Sequence, residues 1–125
     1  MRRDKPAIVA RQVEEMGMGT EQAEGVQVRD NPALHRFEVD LGEAVAVAVY
    51  TLMDGKIMFT HTEVPEEHEG KGIGTALIKA GLAAARDRGL QVIPICPFFA
   101  RYMQRHSETQ DLLEPAFRRV LGLED

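Results

Sequence analysis

The chain changes its hydrophobic periodicity near residue 26. Residues 6–16 place apolar side chains at roughly helical intervals behind a proline that suits a first helical turn, which predicts a short helix. This helix belongs to a predicted N-terminal extension over residues 1–24. From Val26 to Val64, apolar and polar residues mostly alternate instead, and a period of two is typical of β-strands with one buried face.

Turn signals divide the alternating region into four predicted strands. The strands cover residues 26–29, 34–41, 44–50 and 57–64. The strand over 44–50 is apolar on both faces, so we expect it at the centre of the sheet. An Asp54-Gly55 pair predicts a tight hairpin before the fourth strand, and short turns between successive strands predict an antiparallel meander.

Helices and one further strand account for the remaining pattern. Residues 73–88 carry an apolar stripe at helical spacing, and Gly89 follows as a typical residue after a helix C-terminus. An apolar strand over 90–95 contains Pro94, which indicates an edge, a splay or a bulge. The last predicted elements are a helix over 98–105 and a short helix over 112–121.

These elements predict a mixed α/β (α+β) fold. We expect one domain over residues 1–125, because 125 residues is close to the modal domain size, with the motif-bearing core over 26–107. With 15 basic and 20 acidic residues, the net charge of −5 argues against non-specific binding of nucleic acid. Apolar runs are too short for a bilayer span of ~20 residues or for a secretory signal, which predicts a cytoplasmic protein without a membrane partner.

A glycine-rich loop, Glu69-Gly70-Lys71-Gly72-Ile73-Gly74-Thr75, joins the fourth strand to the long helix. Unpaired backbone N–H groups and the helix dipole favour a phosphate group at such a junction, and glycines let the backbone approach it closely. The spacing differs from that of a Walker A loop, and an antiparallel meander does not fit a Rossmann unit. One cysteine and four scattered histidines lack zinc-binding spacing, so no structural metal is expected.

The loop and the segments around it resemble the GCN5-related N-acetyltransferase superfamily. That family carries Gln/Arg-x-x-Gly-x-Gly/Ala between its fourth strand and the next helix, and Glu69–Gly74 takes this place here. Three further segments, His61–Pro65, Val92–Phe98 and Arg105-His106, are similar to the small, minimal acetyltransferase-like subfamily. The resemblance covers residues 26–107.

One position departs from the family pattern. Glu69 places a carboxylate where the family usually has Gln or Arg, and a carboxylate repels a pyrophosphate. Either the Glu69 side chain turns to solvent and backbone N–H groups alone bind the pyrophosphate, or the affinity for CoA is reduced. Lys71 is the charge that would compensate.

The resemblance implies transfer of an acetyl group from acetyl-CoA to a primary amine of a small molecule, a peptide or a protein. It assigns the glycine loop to acetyl-CoA binding, and it assigns a backbone N–H near Glu63 or Val64 to the thioester carbonyl. In the small subfamily a histidine and a cysteine, here His61 and Cys96, have been suggested as catalytic groups. In that route Cys96 accepts the acetyl group and His61 acts as the base.

Two further side chains are candidates on the same resemblance. Glu63 competes with His61 as the base, and Tyr102 lies where many family members keep a tyrosine that protonates the CoA thiolate. The catalytic candidates are therefore His61, Glu63, Cys96 and Tyr102.

Each catalytic candidate also has a purely structural interpretation. An unpaired cysteine usually packs in the core. His61 follows Ile57 and Phe59 in the strand alternation, which predicts a hydrogen-bonded histidine on an apolar face, and Tyr102 could pack against neighbouring phenylalanines. The alternative function is a CoA-binding or protein-interaction module without catalysis, and a monomer and a homodimer are both compatible with the sequence.

Overall fold

A five-stranded sheet organises residues 26–123, the part of the chain that the computed structural model describes. Its strands are β1 (Val28–Asn31), β2 (Arg36–Asp40), β3 (Val45–Met53), β4 (Lys56–Glu63) and β5 (Gln91–Pro94), in that order across the sheet. The first four pair antiparallel, and β5 pairs parallel to β4. The predicted meander and mixed fold class are confirmed, and the predicted helix over 6–16 lies outside the described residues.

Three α-helices accompany the sheet. They are α1 (Ile73–Asp87), α2 (Pro97–Arg105) and α3 (Pro115–Val120). Helix α1 contacts all five strands, and it buries the apolar stripe that the sequence predicts. That stripe consists of Ile73, Ala76, Leu77, Ile78, Gly81, Leu82 and Ala85.

The strand predicted over 34–41 begins two residues late, and this part of the prediction is wrong. Pro32–Leu34 forms a 3₁₀ turn, capped by Asn31, whose Oδ1 accepts a hydrogen bond from the Leu34 N–H at 3.3 Å. His35 then takes a left-handed conformation with φ of 55°. Leu34, the first apolar residue of the alternating pattern, belongs to this turn and not to the strand. It is therefore exposed, and β2 starts at Arg36.

The C-terminal segment covers the outer edge of β5 and is not the single helix predicted over 112–121. Residues Ser107–Leu112 form a 3₁₀ helix, and Leu113 then forms a parallel bridge with Val92. The Glu114 N–H donates to the Val92 carbonyl at 2.9 Å. Leu113 is part of the hydrophobic core, so this segment protects an edge that would otherwise expose unpaired backbone groups.

The open face of the sheet holds a buried carboxylate. Glu38 is 3% exposed and accepts four hydrogen bonds, from Arg29 Nε and Nη2, Asn31 Nδ2 and Arg36 Nε, at 2.7–3.1 Å. Burial by itself raises the pKa of Glu38, but the hydrogen bonds from Arg36, Asn31 and Arg29 outweigh it and hold that pKa below its ordinary value. The anion is therefore a structural part of β1 and β2.

Gly81 sits where α1 crosses a pair of stacked rings. The rings of Phe59 and Phe99 stack with centroids 4.0 Å apart, and a Cβ on Gly81 would lie 2.9 Å from two atoms of the Phe59 ring. Replacing a helical glycine by alanine usually stabilises by about 0.5–1 kcal/mol, whereas overpacking a core costs about 1–3 kcal/mol.

We therefore expect Gly81→Ala to lower the free energy of unfolding by about 1 kcal/mol, the difference between these two effects. Urea denaturation measures it. The matched control is Ala83→Gly at an exposed position of the same helix. It measures the effect of helix propensity alone, without a change in core packing, and it is expected to destabilise the protein because glycine is the poorer helix former. A stabilised Gly81→Ala protein would contradict the tight contact with Phe59.

Candidate active site

Strands β4 and β5 separate beyond their shared register, and the separation opens a cleft. Their pairing ends at Phe59 and Pro94, and the last backbone link is a 2.9 Å hydrogen bond from the Cys96 N–H to the Phe59 carbonyl. Pro94 has no N–H to extend the ladder, and Pro97 turns the chain into α2. The position of Pro94 at the splay agrees with its prediction.

The cleft has a volume of about 810 Å³ and joins most of the predicted site residues. Its walls include His61, Glu63, Val64, Glu69, Gly70, Gly72, Ile73, Gly74, Thr75 and Cys96. Two predicted residues, Lys71 and Tyr102, do not line it. One wall is the part of β4 from Thr60 to Glu63, which pairs with β3 on one side only. A strand edge of this kind presents unpaired N–H and C=O groups to the cleft.

The glycine loop presents the open N-terminus of α1 to the same cleft. Gly70 and Gly72 both adopt positive φ, 84° and 82°, a region that side chains disfavour. Gly72 is the N-cap, and no side chain makes a capping hydrogen bond there. The first N–H groups of the helix therefore have no intrahelical acceptor, and the positive end of the helix dipole faces the cleft.

Gly74 is required for a different reason. It lies inside the first turn of α1, and a Cβ at this position would lie 2.8 Å from Cε2 of Phe98. The glycine thus allows Phe98, on the first turn of α2, to pack over the beginning of α1.

Glu69 lines the cleft, whereas Lys71 does not and instead contacts His68. Glu69 is exposed and extended, with φ of −67° and ψ of 150°. Lys71 Nζ lies 3.5 Å from Nδ1 of His68, and the other ring nitrogen of His68 lies 3.1 Å from Oε2 of Glu43. The hydrogen bond from His68 is the main cause that lowers the pKa of Glu43. Through His68, Glu43 in the β2–β3 turn is linked to Lys71 in the glycine loop.

A β-bulge at Thr60 changes the face on which the next residues lie. Phe59 pairs with Tyr50 but His61 pairs with Val49, so Thr60 is an extra residue in β4. Neighbouring residues of β3 point to opposite faces of the sheet. The expectation that His61 shares the apolar face of Phe59 is therefore wrong: His61 lies on the opposite face.

His61 and Glu63 form a pair on that face. Nε2 of His61 is 3.6 Å from Oε1 of Glu63, and their side chains are 60% and 71% exposed. The structure thus brings the two candidate bases together at the end of β4, where both reach solvent and both line the cleft.

Cys96 is buried on the other side of the same strand. It is 4% exposed, and its Sγ lies 3.3 Å from Oγ1 of Thr62. Thr62 pairs with Ala48 on the helix-covered face, whereas the neighbouring His61 points to the opposite face. The imidazole of His61 therefore does not face the sulfur of Cys96, and Thr62 is a contact of the cysteine that sequence reasoning missed.

Tyr102 lines a second groove rather than the cleft. Its ring stacks on the ring of His106, with centroids 3.8 Å apart, and Nδ1 of His106 donates to the Tyr102 carbonyl at 2.7 Å. Burial, together with the charge of Glu108, raises the pKa of Tyr102. Tyr102 therefore packs against a neighbouring ring, as expected, but that ring belongs to His106, one helical turn away, and not to a phenylalanine.

Two negative findings apply to the described part of the chain. Within residues 26–123, no group of three His, Cys, Asp or Glu side chains is arranged to hold a metal ion. No helix in that range has the length and apolar character needed to cross a membrane.

Comparison with known proteins agrees with this geometry. Residues 36–112, more than half of the chain, match the sequence model of the family described as GCN5-related N-acetyl-transferase. A solved structure of a GCN5-like protein from Staphylococcus aureus, provisionally assigned as an N-acetyltransferase, is 27% identical with a TM-score of 0.57, and the match covers 70% of this chain and 87% of that chain. No curated protein was found to match. The predicted resemblance is thus confirmed: the chain belongs to the GCN5-related N-acetyltransferase family and is an acetyltransferase.

Proposed function

We propose that the protein transfers an acetyl group from acetyl-CoA to a primary amine. One observation carries the proposal. The uncapped N-terminus of α1, with Gly70 and Gly72 at positive φ, opens into the same cleft as the unpaired edge of β4. A cleft with an anion site at one wall and backbone donors at another suits a phosphate-bearing thioester.

The backbone supplies the binding groups in this proposal. The N–H groups of Ile73 and Gly74, at the start of α1, would bind the pyrophosphate of acetyl-CoA, since an anion is favoured at a helix N-terminus. N–H groups on the edge of β4 between Thr60 and Val64 would donate to the acyl oxygen as negative charge develops on it. Donors fixed in a strand need no reorganisation at that moment.

His61 is the group proposed to take the proton from the amine. Neutral imidazole is a suitable base near pH 7. Glu63, at 3.6 Å, would stabilise the imidazolium that forms. Because both side chains are exposed at the end of β4, the proton can then leave to solvent.

Direct transfer is favoured over an acetyl-cysteine intermediate. The sulfur of Cys96 is buried against Thr62, and the proposed base lies on the opposite face of β4. A base within hydrogen-bond reach is a common activator of a nucleophilic cysteine, and the side chain within that reach of Cys96 is the hydroxyl of Thr62. Cys96 is better explained as a packing residue at the floor of the cleft.

The variant Cys96→Ala is therefore expected to retain the acetylation rate within about threefold, because Cys96 takes no part in the chemical step of direct transfer. A general base, by contrast, accelerates such a step by roughly 100-fold or more. The matched variant His61→Gln is expected to lose about a hundredfold in kcat. Steady-state rates with an amine panel and intact-mass spectra after acetyl-CoA addition measure both. An acetyl adduct on the wild-type protein that Cys96→Ala lacks, together with lost turnover, would contradict direct transfer.

A ligand titration tests the proposed function itself. The protein is heated with matched concentrations of acetyl-CoA, CoA, ATP and NAD. A ligand present at about 100 times its Kd adds about 2.7 kcal/mol of stability and raises the melting temperature by several degrees. We expect shifts with acetyl-CoA and CoA alone. Binding without turnover on any amine would point instead to a CoA-binding module, and no shift at all would overturn the proposal.

A further inference from the structure

His68 joins two charged side chains from separate segments at the glycine-loop end of the cleft. It ends the 3₁₀ turn Glu66–His68, lines the cleft, and has a side chain that is 18% exposed. Its Nε2 lies 3.1 Å from Oε2 of Glu43 in the β2–β3 turn, and its Nδ1 lies 3.5 Å from Nζ of Lys71 in the glycine loop. One ring nitrogen therefore faces a carboxylate, and the other faces an ammonium group.

These two contacts fit one protonation state of the ring. An ammonium group has only donors, so Lys71 can donate to Nδ1 only when that nitrogen carries a lone pair. The proton of the neutral ring then sits on Nε2 and is donated to Glu43. Glu43 is a suitable acceptor, because the hydrogen bond from His68 holds the pKa of its carboxyl below the ordinary value.

Protonation of His68 would keep one contact and break the other. An imidazolium carries a proton on both nitrogens, so its Nε2–H still donates to Glu43. Its Nδ1–H, however, would face the ammonium group of Lys71 at 3.5 Å, and two like charges at that distance repel. Since an imidazole changes its charge between about pH 5 and 8, the contact with Lys71 is the one that is lost in that range.

Lys71 stands beside the start of α1 without lining the cleft. It lies between Gly70 and Gly72, which both have positive φ, and two positions before Ile73, the first residue of α1. Its side chain is exposed. A lysine carries its charge on a flexible four-carbon stem, so Nζ can turn toward a phosphate group at the start of α1 once the contact with His68 is lost.

The other charged side chains around His68 are mostly acidic. Glu66 and Glu67 belong to its own turn. The titratable side chains that line the cleft with His68 are His61 and Glu63 from β4, Glu69 from the loop, and Arg101 from α2. A lysine released beside these carboxylates would add a positive charge near Glu69, whose carboxylate repels a phosphate group.

We propose that His68 is a positioning residue for Lys71. In its neutral form His68 holds Lys71 out of the cleft, and on protonation it releases Lys71 toward the phosphate groups of acetyl-CoA. This inference rests on the proposed function, which supplies the anion at the glycine loop. The released lysine is expected to tighten binding about fivefold, which corresponds to the upper end of the range for an exposed ion pair.

Calorimetric titration with CoA at about pH 5.5 and about pH 8 tests the proposal. Each variant is compared with the wild-type protein at the same pH, so that titration of the ligand itself cancels. Lys71→Met should bind CoA about fivefold more weakly than the wild-type protein at the lower pH and equally well at the higher one. His68→Gln should do the same, because its amide keeps an acceptor for Lys71 and does not take up a proton.

The variant His68→Ala separates positioning from direct attraction by the ring. Without the ring, Lys71 is free at both pH values, so this variant should bind CoA about fivefold more tightly than the wild-type protein at pH 8. An imidazolium that attracted the ligand by itself would leave the two proteins equal at that pH. The matched control is His35→Gln, at an exposed histidine that does not line the cleft; it should match the wild-type protein throughout. Circular dichroism checks that each variant is folded.

The outcomes separate the two proposals. An affinity ratio between wild type and Lys71→Met that does not change with pH would overturn the positioning role and leave the acetyl-CoA proposal standing. So would a His68→Ala protein that binds no more tightly than wild type at pH 8.

Absence of CoA binding by every protein at both pH values would overturn the proposed function instead. The contact between His68 and Lys71 is then tested without a ligand, by ¹⁵N chemical shifts of the imidazole ring. At pH 8 the wild-type ring should be the Nε2–H tautomer, and Lys71→Met should reduce that preference. A ring with its proton on Nδ1 would overturn the inference.

Discussion

Replacing Gly72 by valine is expected to weaken acetyl-CoA binding about a hundredfold. Gly72 has φ of 82° at the N-cap of α1, a conformation that a β-branched residue adopts only under strain. The loop would relax toward negative φ and rotate the first N–H groups of the helix away from the cleft. Hydrogen bonds to a charged group contribute about 1.5–3 kcal/mol each, so losing two of the weaker ones costs about 3 kcal/mol, which corresponds to about a hundredfold in Kd.

The matched control is Gly89→Val at the other end of the same helix. Gly89 also has positive φ, 67°, and a Cβ added there would meet no atom within 4 Å beyond its chain neighbours. Both variants introduce comparable backbone strain, and both are expected to lower the melting temperature by a similar amount. Calorimetric titration should show lost affinity for Gly72→Val alone. Equal affinities of the two variants for CoA would show that the glycine loop does not hold the phosphate groups.

Local signals explain the parts of the molecule that the sequence predicted well. Asp54-Gly55 forms the expected hairpin between β3 and β4, and Gly55 takes the positive φ that such a turn requires. The glycine loop was predictable for the same reason, because its geometry depends on residues within one short segment. Pro94 marked the splay because a proline cannot continue a ladder of hydrogen bonds.

Contacts between distant segments explain the parts that the sequence did not predict. The alternation in β4 runs through Thr60 without a break, and only the pairing with β3 reveals the bulge that moves His61 to the other face. Thr62 meets Cys96 across 34 positions in sequence, and His68 meets Glu43 across 25. A register shift and a long-range contact are properties of the assembled sheet, and periodicity along one strand does not contain them.

The burial of Glu38 is another feature that periodicity along one strand does not predict. A glutamate in an alternating strand predicts a solvent-facing position, yet Glu38 is buried beneath Arg29 and Arg36 from the same face of the sheet. The cations come from β1 and β2, whose register places Arg29 beside Glu38. Burial of this carboxylate is therefore a consequence of strand pairing.

Removal of the Glu38 carboxylate is expected to be the most destabilising single change outside the apolar core. Glu38→Ala deletes the acceptor of four hydrogen bonds and leaves Arg29 and Arg36 without their partner. Breaking a buried ion pair costs about 3–5 kcal/mol, and we expect the lower end, about 3 kcal/mol, because both arginines keep access to water. For a chain of this size that corresponds to a fall of roughly 10 °C in Tm. The exposed control Glu67→Gln should change Tm by less than about 2 °C, which corresponds to the ±0.5 kcal/mol typical of surface changes.

The same carboxylate is expected to make stability depend on pH in a defined direction. Since the folded protein holds the pKa of Glu38 below its ordinary value of 4.5, the unfolded chain binds the proton more readily. The stabilisation is then fully present above the unfolded pKa and is lost as pH falls through the folded one. Urea denaturation of the wild-type protein and Glu38→Gln should show a difference in unfolding free energy at pH 7 that shrinks steadily below about pH 4.5. A difference that stays constant into that acidic range would show that packing, and not the anion, is what Glu38 contributes to the sheet.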